Sequence, residues 1–157
     1  MLNIIQANHN KIMTIPKLQD NNELPAGEHL ACLKKIELVY GVATERRKEL
    51  MEGLRNAANN LETAGVRTIW INGSFVTNKK EPNDIDGCWE YNQSVNINIL
   101  DPVFLGDRAE MKKKYGLDFF IANYIEAGSG LPFPKFFQKN RDGDPKGIII
   151  VKLGRSL

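Results

Sequence analysis

The stretch Val66–Tyr91, VRTIWINGSFVTNKKEPNDIDGCWEY, decides how this chain is read. Val66 to Ile71 is rich in β-branched and aromatic residues, which predicts a strand, and Gly73-Ser74 supplies a turn at its end. A second strand is expected to begin near Asp84. Side chains alternate faces along a strand, so Asp84 and Asp86 point one way while Ile85 and Gly87 point the other. Neighbouring carboxylates repel unless a positive charge lies between them, and a hard divalent cation such as Mg²⁺ takes oxygen ligands of this kind. The same residues also fit a polar strand entry, with Asp84 capping a turn and Asp86 in water.

A phosphate would find partners beside the pair. Gly73 lets the backbone approach a ligand closely, and Ser74 brings a hydroxyl and a main-chain N–H to the same place. If residues 74 to 78 open a short helix, its first N–H groups face the anion. Lys79 and Lys80 follow, adding positive charge, and Pro82 stops the segment before the second strand. Neither GxxxxGK[ST] nor GxGxxG occurs in the chain, which sets aside a Walker A loop and a dinucleotide fingerprint.

The flanking sequence places this unit in an α/β sheet domain. A helix is expected from Glu28 to Val39 on the recurrence of Leu30, Leu33, Ile36 and Tyr40, with Gly41 as its stop. A longer one should run from an N-cap at Thr44 to Thr63, with Leu50, Leu54, Ala57 and Leu61 on one stripe and Gly65 ending it. Asn92 to Asp101 reads as a further short strand or a connection. Arg108–Tyr115 reads as a helix stopped by Gly116, and Leu117–Ala122 as a short apolar strand. Gly128-Ser129-Gly130 marks a loop, Asp142-Gly143 a hairpin-type turn, and Gly147–Val151 a strongly apolar strand. Residues 1–27, punctuated by Pro16, Pro25 and Gly27, read as an irregular arm with one short strand at Lys11–Ile15. Residues 28–157 then form a single domain of ordinary size.

With 21 basic and 19 acidic side chains the net charge is +2, which gives no general attraction to nucleic acid. Arg46-Arg47-Lys48 and Lys112-Lys113-Lys114 read as solvated helix faces. Asp101 and Asp107 read as turn residues. Cys32 and Cys88 have neither metal-ligand nor disulfide spacing, and Cys88 reads as a buried thiol on the face of Asp86. His29 is explained by capping or packing. Phe133, Phe136 and Phe137 fit either core packing or stacking on a nucleobase. Arg141 and Lys146 fit either phosphate contacts or surface charges. No membrane span or signal peptide is expected, so the default location is cytoplasmic.

A Gly-Ser turn at a strand end followed by Asp-x-Asp on the next strand resembles the nucleotidyltransferase superfamily that includes the polymerase-β-like enzymes. The wider pattern LPAGEH, GSFVT, PNDIDGCW and FFQKNRDGDPKGII is similar to a short bacterial nucleotidyltransferase-like family, over roughly residues 15 to 153. The resemblance implies a small mixed sheet with helices packed on it. It also implies a third acid, best sought at Asp118 in KYGLDFFIANY, because a carboxylate inside an apolar run is costly without a partner. The implied reaction moves a nucleoside monophosphate from a nucleoside triphosphate, most simply ATP, with Mg²⁺ or Mn²⁺ neutralising charge. Asp84, Asp86 and Asp118 would hold the metal, with Asp118 also helping to activate the acceptor hydroxyl. Gly73 and Ser74 would hold the phosphates, aided by Lys79 and Lys80. A protein or RNA acceptor is expected, in a toxin–antitoxin or defence setting. The expectation from a different class is an inactive fold that acts as a binding module or antitoxin.

Overall fold

A computed structural model describes residues 14–154. Among them lie five strands and four α-helices: β1 (Gly27–Leu30), α1 (Leu33–Tyr40), α2 (Glu45–Ala64), β2 (Thr68–Asn72), β3 (Ile85–Trp89), α3 (Arg108–Tyr115), β4 (Leu117–Ile121), the one-turn α4 (Phe133–Phe136) and β5 (Gly147–Lys152). The strands form one mixed sheet in the order β1-β5-β2-β3-β4, so the fold is α/β with helices packed on a sheet. β2 is antiparallel to both β5 and β3, whereas β1 runs parallel to β5 and β4 parallel to β3.

The two faces of the sheet differ because every strand alternates. Ile69, Ile71, Ile85, Trp89, Leu117, Phe119, Ile149 and Val151 pack on Leu50, Leu54 and Leu61 of α2 and Met111 of α3, forming the main core. The opposite face holds a smaller apolar cluster of Trp70, Cys88, Ala122 and Ile148, partly roofed by Phe133 and Phe137. The candidate carboxylates lie on this second, less covered face, because Asp86 and Cys88 share one set of pleats and Asp118 and Phe120 another.

Local chemistry accounts for most boundaries. The Thr44 side chain accepts the Arg47 N–H at the start of α2, and Gly65 ends the helix in the left-handed region at φ 104°. Asp101 and Asp107 accept the Val103 and Glu110 N–H groups, so both act as caps, as their turn contexts suggest. Gly116 stops α3 at its expected place.

The predicted helix over Glu28–Val39 is not formed as such. Gly27–Leu30 is strand β1, and the helix begins at Leu33. The apolar β5 has an outer edge that needs a hydrogen-bonding partner, and pairing of Glu28 with Ile148 and Leu30 with Ile150 overrides the helical spacing. Asn92–Asp101 is a turn-rich connection and not a strand. In the arm, residues 14–26 contain no helix or strand, and Leu24 is buried in the core. Residues 1–13, and with them most of the strand expected at Lys11–Ile15, lie outside the described residues; Thr14 and Ile15 are not in a strand.

Candidate functional site

The site is built where β2 ends and β3 begins. Gly73 leaves β2 at φ 78°, a conformation that side-chain-bearing residues rarely adopt, and the short helix considered over residues 74 to 78 is a single 3₁₀ turn, Ser74–Val76. A Cβ at Gly73 would collide with the Asp86 carboxylate. The glycine is therefore set by the acid as much as by the turn: it lets the backbone pass directly beside Asp86.

Strand register does the rest. Asn72 of β2, Asp86 of β3 and Asp118 of β4 stand side by side across three strands, and Asp84 lies one pleat before Asp86. Carboxylate oxygens of Asp84, Asp86 and Asp118 all lie within 4.8 Å of one another. Burial pushes the Asp86 carboxyl up from 3.8 to about 6, and the charges of Asp84 and Asp118 push the same way. All three donors are hard oxygens, with neither thiolate nor imidazole among them, a set suited to Mg²⁺ or Mn²⁺.

Two of the acids already meet basic side chains from α3. Arg108 donates from Nε and Nη2 to the two oxygens of Asp118, at 2.8 and 2.6 Å. Lys112 lies 3.1 Å from Asp84. Asp86 makes no ion pair among the described residues.

Beside the acids runs a groove of about 960 Å³, lined by Gly73, Ser74, Lys79, Asp86, Arg141 and Lys146, with Lys139, Phe136 and Phe137 also on its walls. Lys146 is half-buried, and this burial pushes its ammonium down. Of the sequence-predicted residues, Gly73, Ser74, Lys79 and Asp86 thus share one groove, with Asp84 and Asp118 joined to it through Asp86. Lys80 is the exception, since it lines a separate cavity with Tyr40 and Thr44. Packing is seen for Phe133, which stacks on Phe120 at 4.5 Å, while Phe136 stays 36% exposed on the groove wall.

Reading the basic runs as solvated faces missed Arg46, Arg47 and Lys112, and Arg108 was read only as the start of a helix. Arg108 and Lys112 are placed on the acids by α3, four residues apart and so on one helix face. Arg47 is buried at 3% exposure and donates to the carbonyls of Tyr40, Phe75, Thr77 and Lys79 at 2.6 to 3.1 Å. Arg46 holds the carbonyls of Pro82 and Asn83. Together they tether the whole connection between Gly73-Ser74 and Asp84. The signal for Arg47 was its position three residues before Leu50 and seven before Leu54, on the buried stripe of α2.

With the geometry in place, the chain is assigned to a class: residues 16–152 match the family of unknown function DUF6932, and the chain belongs to that family. No curated protein and no solved structure matches it. Among the described residues, no helix is long and apolar enough to cross a membrane.

Proposed function

We propose that the protein is a divalent-metal-dependent nucleotidyltransferase that moves a nucleoside monophosphate from a nucleoside triphosphate, ATP in the simplest case, to a hydroxyl of a protein or RNA acceptor, with pyrophosphate leaving. The observation that supports this reading is the meeting of three carboxylates within 4.8 Å beside a groove walled by Gly73-Ser74 and by Lys79, Arg141 and Lys146. Acids on one side and cations on the other suit a polyphosphate bound through a metal, because each set neutralises what the other cannot. A bound Mg²⁺ or Mn²⁺ would neutralise charge on the phosphates and on the attacking oxygen.

The chain's own groups then have distinct tasks. Gly73 and Ser74 receive the phosphates at the turn, and Lys79, Arg141 and Lys146 balance their charge. Asp84 and Asp86 would hold the metal. Asp118 would complete the ligand set and stands to accept the proton of the acceptor hydroxyl at a carboxylate oxygen. Phe136 and Phe137 offer an apolar wall for a base. The intracellular nucleotide pool makes the cytoplasm the expected location, and a toxin–antitoxin or defence setting the expected context.

Incubation with ATP, CTP, GTP and UTP labelled at the α-phosphate, together with a cell lysate or the product of a neighbouring gene, tests the proposal. Label transfer should require Mg²⁺ or Mn²⁺ and disappear in Asp86→Asn. Absence of transfer from all four nucleotides would favour the second reading, a binding module or antitoxin with no catalysis. That reading has its own support in the contacts of Asp118 with Arg108 and Asp84 with Lys112, which give two acids partners without any metal.

A further inference from the structure

Arg108 and Lys112 lie one helical turn apart on α3 and reach the same acid cluster from one side. The cations are on the solvent side of their pairs: the Arg108 and Lys112 side chains are 61% and 53% exposed, against 17% and 15% for Asp118 and Asp84. Asp86, the acid that neither of them pairs with, lines the groove. Arg108 has a second resting place already in contact, since its guanidinium lies over the Phe120 ring, 5.0 Å from the centroid.

We infer that Arg108 and Lys112 are displaceable counter-ions of Asp118 and Asp84, competing with a divalent cation for the acid cluster and setting how tightly that cation binds. The inference rests on the reading of Asp84, Asp86 and Asp118 as a cation site and adds its control. A carboxylate oxygen engaged by Arg108 or Lys112 is less available to a metal, and two positive side chains beside the cluster repel an arriving one. Neither obstacle is rigid. Both basic groups sit on long, exposed side chains, and exposed pairs of this kind are weak enough for a doubly charged ion held by three carboxylates to displace them. α3 therefore acts as a charged gate: Asp118 and Asp84 stay paired until a divalent ion, and not merely solvent, takes them over. A different arrangement would need the opposite behaviour. If the role of Arg108 and Lys112 were to hold the carboxylates in ligating positions, removing them would weaken metal binding.

Mn²⁺ alone is the probe, with the free ion followed by its electron paramagnetic resonance signal during titration of the full chain. The Arg108→Gln/Lys112→Gln double variant should bind Mn²⁺ about tenfold more tightly than the wild type, from the loss of two competing pairs and two repelling charges. Lys112→Gln alone, the milder change, should shift affinity in the same direction. Thermal melting offers a second readout: the double variant should melt below the wild type without Mn²⁺ and gain more on saturation with it. Equal or weaker Mn²⁺ binding by folded variants, beside clear binding by the wild type, overturns the inference and leaves the cation site standing. Failure of wild type and variants alike to bind Mn²⁺ removes the cation site and the inference with it.

Discussion

Asp86 is where stability and the proposed cation site would pull in opposite directions. It is crowded by two other carboxylates, and the backbone of Gly73 lies so close that no side chain fits between them. Raised to about 6 from an ordinary 3.8, its carboxyl binds a proton more tightly in the folded chain than in the unfolded one. The resulting stability is fully present below 3.8 and is lost as pH rises through about 6. Asn carries no charge at any of these pH values, so Asp86→Asn should melt above the wild type at pH 8 in a chelator, by at most about 3 kcal/mol of stability. Near pH 3.5 the two should converge. Mg²⁺ should restore the wild type at pH 8 and leave the variant unchanged. A variant that is less stable than the wild type at pH 8 in chelator would contradict the crowding described here.

Helix α2 is more than the roof of the core. Its first turn, capped by Thr44, delivers Arg46 and Arg47 to the segment that joins the Gly-Ser turn to Asp84. A buried guanidinium is costly unless its donors are used, and Arg47 uses Nε and both Nη atoms on four carbonyls. Burial pushes its guanidinium down, yet the group remains a charged fork whose geometry no ammonium reproduces. Arg47→Met should lower the unfolding free energy by about 3 kcal/mol or more, read from urea denaturation, because it strands buried carbonyls. Arg47→Lys should recover only part of that loss. Amide exchange at residues 75–80 should accelerate in both variants even where the rest of α2 stays protected. A cost below about 1 kcal/mol would mean that the loop holds itself in place.

The molecule as a whole shows which features a sequence can reveal. α2, α3 and β3 to β5 were legible because their limits are local: Thr44, Gly65, Asp107 and Gly116 act on their own neighbours. The acid pair was legible for the same reason, since pleat alternation alone puts Asp84 and Asp86 on one face. β1 was not, because its strand character comes from pairing with β5 at the far end of the chain. Lys79 and Lys80 were indistinguishable in a basic dipeptide, and only the path imposed by Arg47 sends one to the groove and the other to a different cavity. Lys112 was read as solvated, and Arg108 only as the start of a helix, because their partners are acids on other elements, brought near by the β3–β4 crossover.

The central claim is that three acids hold a divalent cation through which the groove takes a nucleoside triphosphate. Calorimetric titration of the wild type and of Asp86→Asn with a non-hydrolysable ATP analogue, with and without Mg²⁺, tests it most directly. The account predicts nucleotide binding by the wild type that depends on Mg²⁺ and is lost in Asp86→Asn. Binding of equal strength with and without Mg²⁺, or in both proteins alike, would contradict it.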